Sequence, residues 1–257
     1  MNNKLDGCPI HIAQQMVKVP ANDLLYCMLS FQGYEQLVSH LECVSLPLGT
    51  VIHQEHEPIK YVYFPNQAMI SLVATMENGA TTEISLVGKE GMVGLPVVLG
   101  GESINYEAVV QVTGTAMRIE AKALKQHFER FPELRKIILL YVQIRLTYIG
   151  QLAACNRQHK IERRLARWLL LVQDCLKTDC LPLTQEFIAN MLGTNRAGVT
   201  IAAQKLQNSG IISYSRGSIA VEDRQQLEAV SCECYKVMNH ESHRLLSYLN
   251  KPDWQRF

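Results

Sequence analysis

Short apolar runs separated by turn residues dominate the first half of the chain. Between about Val44 and Ile119, β-rich runs alternate with Gly, Pro and Asn-Gly pairs. The sequence Asn78-Gly79 between the runs at 70–76 and 81–87 is the strongest short signal of a β-hairpin. Evenly spaced antiparallel strands with such turns predict a jelly roll or small barrel.

Helical spacing replaces this pattern from about Leu134. Apolar residues recur at 134, 138, 141, 148 and 152, and a second row lies at 137, 140, 144 and 149. Two rows make the apolar surface wider than one buried stripe, so we expect the helix to pack on its own β-domain and to present a seam to another chain. The alternative is a helix buried within one subunit. A further amphipathic helix is predicted at 161–176, with Arg163, Arg164 and Arg167 on the face opposite its apolar residues.

Two short helices joined by a glycine turn are predicted in LTQEFIANMLGTNRAGVTIAAQKLQNSG, residues 183–210. Thr184 is the expected N-cap of the first helix and Asn195 that of the second, while Gly193 supplies the positive φ that ends the first. Such a pair is a helix-turn-helix, whose second helix fits the major groove of DNA. Residues 211–221 then predict a hairpin that turns near Arg216-Gly217, as in the wing of a winged helix.

The outward face of the second helix carries the candidate base-reading residues. Arg196 follows the capping residue, and its planar guanidinium suits the two acceptors of a guanine. Lys205 and Arg216 are better placed for phosphates. The full set of predicted DNA-binding residues is Thr184, Asn195, Arg196, Ala197, Thr200, Ile201, Gln204, Lys205 and Arg216.

These features together resemble the Crp/Fnr (catabolite activator) family of bacterial transcription regulators, over nearly the whole chain. The resemblance implies an α+β fold: a cyclic-nucleotide-binding-like β-roll (jelly roll), a long dimerisation helix and a C-terminal winged helix-turn-helix. It also implies that Asn195 caps the recognition helix and that Arg196 contacts a base. Ala197 and Ile201 stand where many members have an acidic residue and a second arginine, so a different base preference is expected.

The chain divides accordingly into four predicted segments. They are a sensor domain at 20–130, a dimerisation helix at 131–155, a DNA-binding domain at 156–224 and a helical extension at 225–257. Lys and Arg number 11 against 14 Asp and Glu in residues 1–155, but 10 against 6 in residues 156–224. A basic segment beside an acidic one is typical of a nucleic-acid-binding domain tethered to another domain, although a solvated helix face produces the same excess.

The sensor domain lacks the side chains that the resemblance associates with cyclic AMP. In members that bind it, a Gly-Glu-Leu segment holds the ribose and an arginine about ten residues later clamps the phosphate. Here Gly94 is followed by Leu95, and the arginine position falls near Tyr106, beside Glu107. A carboxylate repels a phosphate. We therefore expect a degenerate pocket that does not bind cyclic AMP and whose effector, if one exists, is unknown.

Other sensor chemistries find little support in the spacing of the cysteines and histidines. Cys8, Cys27 and Cys43 are too far apart for a tight iron–sulfur motif. His53 and His56 would point to opposite faces of one strand. Cys232 and Cys234, near His240 and His243, have metal-ligand residue types but would point apart on the predicted helix. We expect no metal and no cofactor, and a structural zinc at Cys232 and Cys234 is kept as the alternative.

The sequence thus predicts a non-enzymatic, sequence-specific regulator that acts as a homodimer on a near-palindromic site. Its expected partners are double-stranded DNA, a second copy of the chain and RNA polymerase. No association with a membrane is expected. The N-terminus does not match a secretion signal and no long uninterrupted apolar run is present, so a cytoplasmic location is expected. The alternative is a small-molecule or metal-binding β-roll protein whose helical domain serves assembly.

Overall fold

The computed structural model describes residues 21–29, 31–215 and 217–247. Cys8 and Arg216, both named above, lie outside the described residues. The described chain forms two compact units. The first comprises its residues up to 72, residues 86–143 and the end of the described chain from 245, and the second comprises residues 73–85 and 144–244.

Antiparallel strands build most of the first unit. β1, β7 and β3 form one sheet in the order β1-β7-β3, and β2, β6, β4 and β5 form another in the order β2-β6-β4-β5. The strands are β1 Glu42–Leu46, β2 Val51–His53, β3 Tyr61–Pro65, β4 Met69–Thr75, β5 Thr81–Val87, β6 Glu107–Val112 and β7 Gly114–Glu120. The hairpin predicted around Asn78-Gly79 is confirmed, because β4 and β5 are neighbours and Gly79 has a φ of 79°.

Short helices and the start of one long helix cover the strands of this unit. They are α1 Asp23–Cys27, α2 Tyr34–Val38, α3 Pro96–Leu99, α4 Ala121–Arg130 and α5 Pro132–Gln158. Leu134, Ile137 and Ile138 of α5 are fully buried in one apolar cluster with residues of α1, α2 and β3. Removal of such apolar side chains from water is the main force that holds a helix onto a sheet.

The second unit contains the rest of α5 and the predicted helix-turn-helix. Its helices are α6 Ile161–Leu176, α7 Gln185–Met191, α8 Arg196–Asn208, α9 Arg224–Val230 and α10 Cys234–Ser247, the last of which runs on past the bound of the unit. A small sheet in the order β8-β10-β9 joins β8 Cys180–Leu181, β9 Ile212–Ser215 and β10 Ser218–Val221. β8 was not predicted, because two residues are too few to show a periodicity.

The apolar stripe that α5 leaves exposed differs from the one predicted. Ile137 and Ile144 of the predicted second row are buried. Exposed instead are Leu139, Leu146 and Ile149, at 46%, 67% and 42% of their accessible surface, with half-buried Val142 between them. The spacing of these four residues is 3, 4 and 3, which is the a/d repeat of a coiled-coil seam. By length and composition α5 also passes as a membrane span, a test that core helices of soluble proteins pass as well.

Only one of the three arginines predicted on the face of α6 opposite its apolar residues is exposed to solvent. Arg163 is exposed, but Arg164 and Arg167 are buried at 8% and 1% exposure. Buried guanidinium groups need anions or acceptors in place of water. Arg164 finds one in the main-chain oxygen of Leu192, just after α7. The basic excess of residues 156–224 is therefore partly internal and overstates the positive charge of the surface.

Candidate functional site

Two side-chain caps define the helix-turn-helix. The Thr184 hydroxyl oxygen accepts a hydrogen bond from the Phe187 amide at 3.2 Å, and α7 begins there. After α7, Gly193 adopts a φ of 57° and turns the chain. The Asn195 side chain then accepts from the Gly198 amide at 2.7 Å and starts α8. Both predicted caps and the predicted positive φ are confirmed, since each rests on a local residue preference.

Contacts on the inner side hold α7 and α8 together. The Thr200 hydroxyl donates to the side-chain oxygen of Gln185 at 2.7 Å and so bridges the two helices. Val199, Ala203 and Leu206 of α8 are buried, as predicted. Packing within the domain therefore uses only one side of α8, and the opposite side is available to a partner.

The outer side of α8 presents most of the predicted base-reading residues. Its exposed residues include Arg196 and Ala197 in the first turn, Ile201 and Gln204 further along, and Lys205 in the last turn, while Thr200 is half-buried. Ile201 is 58% exposed, which is unusual for a large aliphatic side chain and leaves its apolar surface available to a partner. Within the described part of the chain, no hydrogen bond or ion pair engages the Arg196 side chain.

Lys205 differs from Arg196 in having a partner. Its Nζ lies 2.9 Å from a carboxylate oxygen of Glu162, and the two side chains are 60% and 37% exposed. An exposed ion pair of this kind is weak and is easily exchanged for a phosphate. Lys205 is thus exposed in the last turn of α8 and loosely held by Glu162.

The predicted wing is the hairpin of β9 and β10. Ile212 pairs with Val221 and Ser215 pairs with Ser218, and Gly217 in the turn has a φ of 79°. β8 extends this hairpin to three strands through the pair Leu181–Ile219. The tip at Arg216 lies outside the described residues.

Two of the four residues that were predicted to line a degenerate pocket pack against the core. Gly94 is buried with a φ of 113°, and the next residue, Leu95, precedes the short helix α3. Leu95 and Tyr106 are partly buried and pack against the apolar cluster of the first unit. Glu107 begins β6 and is half-buried. These four positions therefore offer apolar surface and a carboxyl group, with no cation among them.

His53 and His56 do not share a site. The His53 ring is buried and its Nε2 lies 2.8 Å from the Tyr61 carbonyl oxygen, and burial lowers the pKa of His53 despite this hydrogen bond. β2 ends at His53, so the premise that both residues lie on one strand was wrong. The His56 side chain is 75% exposed and pairs with Glu55 at 3.2 Å.

A cluster of three thiols and one imidazole, which residue spacing in the sequence did not predict, lies in the second unit. We call Cys155, His159, Cys232 and Cys234 the thiol–imidazole cluster. One potential ligand atom from each of the four lies within 4.8 Å of each of the others. The Cys155 and Cys232 sulfurs are 3.5 Å apart, and Cys234 Sγ is 3.6 Å from His159 Nδ1.

The expectation that Cys232 and Cys234 point apart was wrong, because Cys232 precedes α10 and only Cys234 lies on it. The missed signal was the i, i+4 spacing of Cys155 and His159, which places them on one helix face. The His159 amide donates to the Cys155 carbonyl at 3.0 Å, so the helical turn extends to His159. The hydrogen bond with Cys232 lowers the pKa of Cys155, and nearby Arg167 acts in the same direction.

Two models of protein families match the chain. The model of the cyclic nucleotide-binding domain matches residues 43–131, and that of the Crp-like helix-turn-helix domain matches residues 163–230. No curated protein matches the chain by sequence.

Solved structures share the fold at low sequence identity. FixK2 from Bradyrhizobium japonicum is similar with a TM-score of 0.65 and 16% identity, over 75% of this chain and 98% of that chain. A putative Crp/Fnr-family regulator from Eubacterium rectale gives a TM-score of 0.65 and 19% identity, over 80% and 96%. CLP of Xanthomonas campestris, described as a c-di-GMP-responsive global regulator, gives 0.61 and 16%, over 73% and 96%. With its cyclic nucleotide-binding domain, long helix and Crp-like helix-turn-helix domain, the chain belongs to the Crp/Fnr family of transcription regulators.

Proposed function

We propose that this regulator binds a near-palindromic DNA site as a homodimer, with α8 of each subunit in the major groove. The observation that carries the proposal is the outer face of α8, where Arg196, Ile201 and Gln204 are exposed and, within the described residues, the polar side chains of Arg196 and Gln204 have no hydrogen-bond or ion-pair partner. Major-groove readers need such side chains near the N-terminal end of the helix. Ala197, small and exposed beside Arg196, allows close approach to the bases.

Each exposed residue of α8 has a proposed role set by its chemistry. Arg196 pairs with the two acceptors of a guanine, and Ile201 packs on the methyl group of a thymine. Gln204 offers further hydrogen bonds to base edges, and Lys205 exchanges Glu162 for a phosphate. Thr200 is half-buried and donates its hydroxyl hydrogen to Gln185, so it is proposed to contact the DNA only as an acceptor. Thr184 caps α7 and Asn195 caps α8, and the main-chain amides at these two helix N-termini are proposed to face the DNA backbone. Arg216 at the wing tip is proposed to contact phosphate.

The dimer is proposed to form through the exposed seam of α5. A continuous apolar stripe on a 27-residue helix is costly in water and is typical of a surface that another copy covers. Two subunits related by a twofold axis would present their α8 helices to half-sites about one turn of DNA apart. The segments proposed for these tasks are 131–155 for dimerisation and 156–224 for DNA binding, flanked by a sensor domain at 20–130 and a C-terminal extension at 225–257.

The proposed sensor domain does not bind cyclic AMP or cyclic GMP. Leu95, Tyr106 and Glu107 supply neither the ribose contact nor the cation that a cyclic phosphate requires. The domain therefore either senses an uncharged or quite different effector or has none. We further propose that the protein acts in the cytoplasm without catalysis of its own, and that RNA polymerase is a partner.

Selection from random duplex DNA tests the proposed function. The full-length protein should enrich a near-palindromic sequence, protect it in a footprint and bind it with an affinity that falls as salt rises. Scrambled DNA of equal length and composition serves as the control. Equal affinity for the selected and scrambled duplexes at every salt concentration would contradict sequence-specific binding.

A further inference from the structure

We propose that the thiol–imidazole cluster is a structural binding site for one zinc ion. Three thiolates and one imidazole are a common ligand set for structural zinc. The four residues come from two places in the chain: Cys155 and His159 at the end of α5, and Cys232 and Cys234 at the start of α10. Cys155 and Cys232 are 77 positions apart, so only the fold brings the two pairs together.

The distances within the cluster suit a single ion. Ligands about 2.3 Å from a tetrahedral zinc are separated from one another by about 3.8 Å. The sulfurs of Cys155 and Cys232 are 3.5 Å apart, and the Cys234 sulfur lies 3.6 Å from Nδ1 of His159. The four ligands of an iron–sulfur cluster are divided among two or four irons, so some of them stand further apart than ligands of one ion. A tetrahedral set of sulfur and nitrogen ligands therefore selects zinc.

The residues around the cluster orient its ligands. Nε2 of His159 lies 3.2 Å from a carboxylate oxygen of Glu233, which leaves Nδ1 facing the Cys234 sulfur. A carboxylate that accepts from the far nitrogen of a ligating histidine fixes its tautomer and strengthens it as a ligand. The side-chain amide of Gln151 donates to the Cys234 sulfur at 3.1 Å, as expected beside a thiolate.

A buried positive charge beside the cluster matches the charge of the proposed site. A zinc ion with three thiolates and a neutral imidazole carries one net negative charge. Arg167 is 1% exposed, and its Nε and Nη1 atoms have no hydrogen-bond partner among the described residues. Its electrostatic neighbours include Cys155 and Cys232, and also the buried carboxylate of Glu83. A guanidinium is expensive to bury without negative charge around it, and an anionic metal centre would add to the charge that Glu83 supplies.

The proposed site has a structural rather than a catalytic character. All three cysteines are buried, and four protein ligands leave no position for water on a tetrahedral ion. Binding would release the thiol protons and join the end of α5 to the segment that follows α9. Loss of the metal should therefore destabilise the second unit.

Metal content and cobalt spectroscopy test the proposal on the full-length protein. Purification under reducing conditions from zinc-supplemented cells should yield about one zinc per chain. Replacing it with Co²⁺ should give the sulfur-to-cobalt charge-transfer and d–d bands of a tetrahedral thiolate site. Cys232→Ser should lose the zinc, while Cys180→Ser, an exposed cysteine outside the cluster, should keep it.

Glu233→Gln provides a variant whose fold is expected to survive, because the Glu233 side chain is 67% exposed. It should bind zinc about tenfold more weakly with an unchanged circular dichroism spectrum. Full-length wild-type protein that takes up neither zinc nor Co²⁺ while its thiols are reduced would overturn the proposal. So would a metal-free protein whose Cys155 and Cys232 are joined in a disulfide, or zinc that persists after Cys232→Ser.

Discussion

Substitution of Arg196 by alanine should separate DNA recognition from folding. Arg196 is exposed at the first position of α8, and its side chain makes no hydrogen bond or ion pair within the residues that the structure describes. The cap of α8 belongs to Asn195, which the substitution leaves in place. We therefore expect Arg196→Ala to change the free energy of unfolding by less than about 0.5 kcal/mol.

The loss of specific binding follows from the number of bases contacted. One bidentate arginine–guanine pair contributes roughly 1–3 kcal/mol of discrimination. Because the proposed dimer presents two copies of α8, the full site should lose about 2–6 kcal/mol, or about 30-fold and upward in Kd. Scrambled DNA offers no matched guanine, so its affinity should fall much less.

The assay compares Kd for the selected and the scrambled duplex at two salt concentrations. Arg196→Lys is the matched control, since it keeps the charge but loses the planar pair of donors. It should retain the affinity for scrambled DNA and lose most of the specificity. Lys205→Ala should weaken binding to both duplexes alike and reduce the salt slope by about one for each phosphate that is no longer neutralised.

The result that would refute this assignment is an equal loss on both duplexes. If Arg196→Ala lowers both affinities by one factor and Arg196→Lys restores both, Arg196 contacts the DNA backbone. If neither variant changes the affinity for the selected site, Arg196 makes no contact with that site.

Three further predictions test the seam, the sensor domain and a buried histidine. Leu146→Glu in the α5 seam should convert a dimer into a monomer in light scattering, whereas Leu99→Glu, at a leucine of similar exposure outside the seam, should not; a dimer that survives Leu146→Glu would contradict the proposed interface. Calorimetry should detect no micromolar binding of cyclic AMP or cyclic GMP, and heat of binding at that affinity would refute the role assigned to Glu107. Burial lowers the pKa of His53, so its neutral ring contributes stability above pH of about 6.5 that is lost as pH falls through the lowered pKa. His53→Gln should thus show a smaller drop in urea midpoint between pH 7.5 and 5.5 than wild type, and an identical drop would show that His53 does not titrate with unfolding.

Local sequence signals predicted the elements that local chemistry controls. Thr184 and Asn195 cap their helices because a short oxygen-bearing side chain reaches an amide three residues on, whatever the rest of the fold does. Gly193 and Gly79 take positive φ values for equally local reasons. The hairpin, the helix-turn-helix and the wing could therefore be placed from the sequence.

Tertiary structure decided which polar residues are buried and which apolar residues are not. The periodicity of α6 separates arginines from apolar residues, but it does not reveal that other elements cover the arginine side as well. Arg164 is buried because it donates to the Leu192 carbonyl oxygen, and no local rule contains that contact. In α5, likewise, the periodicity showed several apolar rows, and packing determined that Leu146 lies on the exposed one.

The thiol–imidazole cluster shows most clearly the difference between what local sequence signals contain and what tertiary packing adds. The sequence alone offered only the i, i+4 spacing of Cys155 and His159, which puts them on one helix face if the helix continues past the predicted end at 155. It did not determine that Cys232 would meet them, because 77 intervening positions carry no local distance information. That meeting depends on how α5 and the segment before α10 pack, and packing is a sum of many contacts of which each residue supplies only a few.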